Sequence, residues 1–153
     1  MKAKFSLAVA LSHQAELIIL DEPTSGLDPV FRRELLDILA DLMQDETRSI
    51  LFSSHITSDL DRIADYITFI NRGKLVFSLE KDEVFATYGL VKGSVNLLTE
   101  ELKKKLIGLR MSPYGFEGLT DNVRNANQIF QGKALVEKAS LEDIMLYTVK
   151  GEI

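Results

Sequence analysis

The chain has 153 residues, 46% of them hydrophobic, with a formal net charge of −5 and no cysteine. This suits about one domain with a real core and excludes a disulfide framework or a thiolate zinc site. The acidic balance argues against nucleic-acid binding through bulk electrostatics. No apolar run approaches the roughly 20 residues needed to cross a bilayer, so a soluble chain serving inside the cell is expected.

In chain order, Met1 to Leu11 reads as an alanine-rich helix, with Phe5, Ala8, Val9 and Ser12 at helical spacing. Ser12 to Ala15 reads as a connection, and His13 as a solvated loop residue. Leu17-Ile18-Ile19-Leu20 is too short for an independent helix and runs at once into Asp21-Glu22-Pro23. It predicts a short strand buried on both faces, ending in two adjacent carboxylates. Ligands of open α/β sheets gather at that carboxyl edge. Neighbouring side chains on a strand point opposite ways, so Asp21 and Glu22 can take different tasks, one holding a hard cation and one facing a water.

Asp28-Pro29 is a helix start, an Asp cap followed by proline at the first helical position. Val30, Phe31, Leu35, Ile38, Leu39, Leu42 and Met43 give the helix an apolar face, with Arg32, Arg33, Glu34, Asp37 and Asp41 on the solvated side. Gln44 to Arg48 is a polar turn. Ser49 to Ser53 is a second strand, followed by His55 and a short helix through Ala64 capped by Thr57 or Ser58. Tyr66 to Ile70 and Lys74 to Ser78 flank the hairpin loop Asn71-Arg72-Gly73. Ser78 is expected to cap a helix running to about Thr87. The order α-β-α-β-α-β-β-α suits half of a mainly parallel sheet with an antiparallel end.

Leu17 to Asp28 and His55 together carry a family resemblance. The first resembles the Walker B strand, catalytic glutamate and D-loop (Ser25-Gly26-Leu27-Asp28) of ATP-binding cassette (ABC) transporter ATPases. His55, closing Ile50-Leu51-Phe52-Ser53-Ser54-His55, resembles their switch histidine. The resemblance is strong over residues 1 to about 90 and weakens beyond. It implies Asp21 as the Mg²⁺ ligand, Glu22 as general base and His55 as a γ-phosphate contact. It places Ser25, Gly26 and Asp28 at the ATP-bearing seam of a dimer. The helix over residues 1 to 11 would follow the signature sequence, Met1 aligning with its last residue.

No phosphate loop is present: Gly73-Lys74 is followed by Leu75 and Gly132-Lys133 by Ala134, neither with an upstream glycine. The resemblance therefore implies the C-terminal half of a nucleotide-binding domain. Its partners would be the missing N-terminal half, a second ATPase subunit and a transmembrane permease, at the inner face of the cell membrane. ATP and Mg²⁺ would bind the complete domain and are not expected to bind tightly to this chain alone, and no nucleic-acid partner is expected. Two alternatives stand beside the transporter subunit: a soluble ABC-type ATPase, disfavoured by the lack of room for a long coiled coil, and a non-catalytic interaction fragment of a broken ATPase.

The fold class expected is α/β, half of a P-loop NTPase sheet with flanking helices over residues 1–90. A small α+β extension follows over 91–153, with Gly89 to Gly93 as a boundary. In the extension a strand is expected near Ser94 to Leu98, and Thr99 caps a helix through about Ile107. Arg110 to Thr120 reads as an irregular strand or turn, and Gln128 to Glu137 as a strand turning at Gly132. Ser140-Leu141-Glu142-Asp143 opens a final helix with a capping box. Lys103-Lys104-Lys105 reads as a solvated helix face.

Overall fold

The computed structural model describes residues 15–150 together with Phe5, Ala8, Val9, Leu11 and Ser12. Of the expected first helix, Phe5, Ala8, Val9 and Leu11 are helical; the rest of it, with His13, lies outside the described residues. The chain divides into two compact units at Ala64/Asp65.

In the first unit, β1 (Leu17–Asp21) and β2 (Ser49–Ser53) pair in parallel, Leu17 opposite Ser49 and Asp21 opposite Ser53. Parallel neighbours need a long crossover. Here it contains α1 (Pro29–Leu42), started as expected by Asp28, whose carboxylate accepts from the Phe31 amide at 3.0 Å, and by Pro29. The helix buries Leu35, Leu36 and Leu39 and leaves Val30 and Ile38 exposed. A short α2 (Thr57–Ile63) follows β2 without a side-chain cap, since Ile56 occupies the cap position. Arg62 of α2 pairs with Asp37 of α1 at 2.7 Å.

The expectation that β1 is buried on both faces is corrected. Ile18 is buried, but Leu17 and Ile19 are 56% and 67% exposed, and Leu51 of β2 is 62% exposed. Alternation sends these three to one side of the pair, where no other described element of the unit covers them.

In the second unit, β3 (Tyr66–Asn71) and β4 (Lys74–Glu80) form the expected hairpin as a sheet of their own. Its tip holds Arg72 and Gly73 at φ 47° and 75°, the left-handed pair that a two-residue hairpin loop requires. Strand β4 outruns the expected Ser78 cap, so α3 (Lys81–Thr87) starts after Glu80. Phe77 stacks at a tilt on both Phe69 and Tyr88.

The remainder is a four-stranded antiparallel sheet in the order β6-β7-β5-β8. Gly89 to Gly93, expected as a boundary, is β5, one of its two inner strands. The strand expected near Ser94 to Leu98 is one 3₁₀ turn, Val95–Leu97. Thr99 does cap a helix, but α4 (Glu100–Lys103) is a single turn, and Ile107 already opens β6 (Ile107–Ser112). With β7 (Gly115–Thr120), β6 makes a hairpin where an irregular stretch was expected. The turn at Gly132 is as expected. The arm before it, however, is helix α5 (Val123–Phe130), capped by Asn122, and only β8 (Leu135–Lys138) is strand. The final helix α6 (Leu141–Lys150) has the expected capping box: Ser140 Oγ accepts from the Asp143 amide at 3.1 Å, and Asp143 accepts from the Ser140 amide at 3.0 Å.

The sheet is covered on both sides. Val91 and Phe116 pack with Ala126 and Phe130 of α5. On the opposite face the Tyr147 hydroxyl of α6 donates to Glu117. Burial and that bond push the Tyr147 phenol up to about 12 from its ordinary 10.0. A phenol that ionises later in the folded chain than in the unfolded one stabilises fully below pH 10, and that contribution is lost as pH rises toward 12. The urea midpoint is therefore expected to fall over this window and to fall less steeply in Tyr147→Phe. Some slope stays, because burial also raises the Tyr88 phenol.

Candidate functional site

The site is built at the carboxyl ends of β1 and β2. Because Asp21 stands opposite Ser53, the Ser53 hydroxyl donates to Asp21 Oδ1 at 2.5 Å. Ser53 Oγ in turn accepts from the Glu22 amide at 2.9 Å. Glu22 adopts a left-handed backbone, φ 47°, which costs a non-glycine residue about 1 kcal/mol or more. That turn carries its side chain across to the end of β2. There Glu22 Oε1 accepts from the His55 amide at 3.1 Å, and Oε2 lies 2.8 Å from His55 Nδ1. Asp21, Glu22 and His55 thus lie on one edge, Ser53 linking Asp21 to Glu22 and Glu22 bonding His55 directly. Asp21, Ser53 and His55 are exposed there.

Ser25, Gly26 and Asp28 follow in a tight loop. The Ser25 amide donates to the Glu22 carbonyl and the Leu27 amide to the Thr24 carbonyl, at 3.1 and 3.3 Å. Gly26, at φ 70° with open space where a Cβ would stand, supplies the positive φ that the turn needs. Ser25 and Gly26 are exposed. Asp28 is committed to the α1 cap.

A polar network beneath this loop escaped the sequence reading. Thr24 and Asp59 are each 1% exposed. Thr24 Oγ1 donates to Asp59 Oδ2 at 2.6 Å, and Arg32 donates to Asp59 Oδ1 through Nε at 2.7 Å and Nη2 at 2.5 Å. Arg32 Nη2 also reaches Ser58 Oγ at 2.8 Å. Arg32, expected on a solvated face, is instead the counter-ion of a buried acid. The one available signal was an acidic residue in the first turn of α2, and it did not name a partner.

The residues fit a magnesium–phosphate ligand in a limited way. Among the described residues no group of three or more His, Cys, Asp or Glu could hold a metal ion. Mg²⁺ bound with substrate phosphates commonly uses only one or two protein carboxylates, and Asp21 suits that single role. Glu22 spends two acceptor positions on His55, and a carboxylate has about four, so it retains capacity for a water.

Comparison with known proteins accords with this geometry. A family model described as "AAA domain, putative AbiEii toxin, Type IV TA system" matches residues 1–61, the stretch holding both acids and His55. The lantibiotic transport ATP-binding protein SrtF of Streptococcus pyogenes is 42% identical over 82 residues, 54% of this chain and 35% of that protein. The bacitracin transport ATP-binding protein BcrA of Bacillus licheniformis is 38% identical over 84 residues, 55% of this chain and 28% of its own length. An uncharacterized ABC transporter ATP-binding protein of Nostoc is 38% identical over 118 residues, 76% of this chain and 35% of that protein. An alignment of that length cannot fit within residues 1–90, so the likeness continues into the extension. The chain is a homologue of ABC transporter ATP-binding proteins, and it spans about a third of the length of these relatives.

Removing one partner of a buried ion pair leaves an uncompensated charge and costs about 3–5 kcal/mol. Arg32→Met is expected to lower unfolding free energy by that order in urea titrations. Arg33→Met, on the exposed neighbour, should change it by no more than about 0.5 kcal/mol.

Proposed function

We propose that this chain is part of the ATP-hydrolysing subunit of an ABC transporter, working at the inner face of the cell membrane with a permease and a second ATPase subunit. The observation that carries this reading is the chain of bonds at one strand edge, from Asp21 through Ser53 to Glu22 and from Glu22 to His55. The homology supports it. Among the described residues no helix is long and apolar enough to cross a membrane.

Each residue has a distinct task. Asp21, steadied by Ser53, is the Mg²⁺ ligand; the ion, when bound with ATP, neutralises charge on the phosphates. Glu22 accepts a proton from the attacking water through a lone pair left free by His55. His55 donates a hydrogen bond from Nδ1–H to Glu22, which leaves Nε2 for the γ-phosphate. Ser25 and Gly26 lie at the seam with the second subunit, and Asp28 fixes the loop by starting α1. Residues up to the end of α3 form the C-terminal half of the nucleotide-binding domain, and the four-stranded sheet that starts at Gly89 extends it.

The chain carries no glycine-rich phosphate loop, so the remainder of the domain supplies the phosphate cradle. It also covers the bare face of Leu17, Ile19 and Leu51. On its own the chain should show no micromolar ATP affinity by calorimetry; such affinity, lost in Asp21→Ala, counts against the division of labour. Mixed with a segment bearing the phosphate loop of the same domain, it should release phosphate from ATP. Glu22→Gln should then cut the rate by about 10²–10⁴-fold, the usual loss of a general base. A properly assembled mixture that releases none supports a non-catalytic fragment instead.

A further inference from the structure

Asp21, Glu22, His55 and the loop 25–28 have proposed roles in the site, and the buried acid beneath them has none so far. Asp59 stands in the first turn of α2, four residues after His55. Its Oδ2 accepts from Thr24, the residue immediately before Ser25, at 2.6 Å. Its Oδ1 accepts twice from Arg32, at 2.7 and 2.5 Å, one helical turn after Asp28. A single carboxylate therefore binds three segments, each of which leads directly into a candidate residue.

Packing alone does not account for this choice. Well-packed apolar residues in place of a buried ion pair are often as stable or more so. What a carboxylate adds is direction: three bonds at fixed angles, two from one guanidinium and one from a hydroxyl. The Thr24 hydroxyl, itself buried, has its bond to Asp59 in place of water, so the loop cannot leave α2 without exposing or orphaning both groups.

We propose that Asp59 is a positioning residue that ties the loop 24–28 to the helix following His55, so that the seam-facing loop and the imidazole move together. The inference rests on the ATPase reading of the site. In that setting, displacement of Ser25 and Gly26 by the second subunit shifts α2 through Thr24 and Asp59. Because β2 and α2 hold His55 between them, the imidazole answers to the loop. Arg32 keeps the Asp59 carboxylate aimed at Thr24 while this happens.

The test uses the full chain, labelled with ¹⁵N, and follows the amides of residues 25–28 and the His55 ring nitrogens by NMR. Thr24→Val removes the tether and leaves the Asp59–Arg32 pair in place; Thr24→Ala is the second variant should valine prevent folding. Both are expected to shift the loop amides and the His55 ring nitrogens together, and Thr24→Ser, which keeps the hydroxyl, restores both. Loop amides that move while the His55 ring stays overturn the tether, and so does a spectrum in which neither moves. In the assembled domain, Thr24→Val should lower kcat about tenfold with KM changed less than about twofold, the signature of a lost positioning contact. Absence of phosphate release from the unsubstituted assembly overturns the ATPase reading instead. The NMR outcome needs no nucleotide and still decides the tether.

Discussion

Everything at the candidate site follows from one register: β1 lies parallel to β2 with Asp21 opposite Ser53. Parallel pairing brings two chain segments 32 residues apart to the same edge pointing the same way, which an antiparallel hairpin would not do. A slip of one residue would turn Ser53 to the other face of the sheet. Asp21 would then lose its hydroxyl donor, and the Glu22 amide its acceptor. Glu22 could no longer be held in its left-handed turn, and its carboxylate would leave His55. Local strain at Glu22 is thus offset by bonds that exist only in this register.

The register is in turn protected by polarity as much as by apolar burial. Leu35, Leu36 and Leu39 of α1 form a greasy contact, and such contacts tolerate sliding. The Arg32–Asp59–Thr24 network does not, because each of its bonds has one direction and one partner. It sets α1 against α2 at a defined position and fixes the loop between β1 and α1. The whole crossover is therefore pinned near the carboxyl edge, where the chemistry is proposed to occur, while its far end relies on leucines.

Much of this was legible in the sequence wherever the determinant is local. Asp28-Pro29 and Ser140 to Asp143 announce helix starts through bonds spanning three residues. Asn71-Arg72-Gly73 announces a hairpin through backbone preference. The acids and the imidazole were singled out by the family resemblance that their order and separation carry, and the structure brings them to one edge. What stayed hidden depends on distant partners. Arg32 and Asp59 are 27 residues apart, and each alone looks like a solvated helical charge. Gly89 to Gly93 looks like a break because glycine disfavours strands, yet a Cβ at Gly93 would meet the Phe116 ring at 3.0 Å. Its glycine serves close packing inside a sheet. The stretch before Gly132 has apolar residues too sparse to separate strand from helix, and the Asn122 cap, with its side chain on the Asn125 amide at 2.9 Å, tipped it to helix.

The bare face of the parallel pair connects the fold to the proposed chemistry. Leu17, Ile19 and Asp21 lie on one side of β1, with Leu51 and Ser53 beside them on β2, so an apolar strip leads up to the Asp21–Ser53 bond. A two-stranded sheet is marginal by itself, and exposed branched side chains in such a strip favour burial by about 25 cal/mol per Å². A strand pairs at a sheet edge and leaves the face to a packed layer. In the proposed complete domain, a further strand paired in parallel at a free edge of β1 or β2 brings its own carboxyl end, and the loop after it, to the edge where a phosphate cradle is needed. It also widens the sheet on which a covering layer buries Leu17, Ile19 and Leu51.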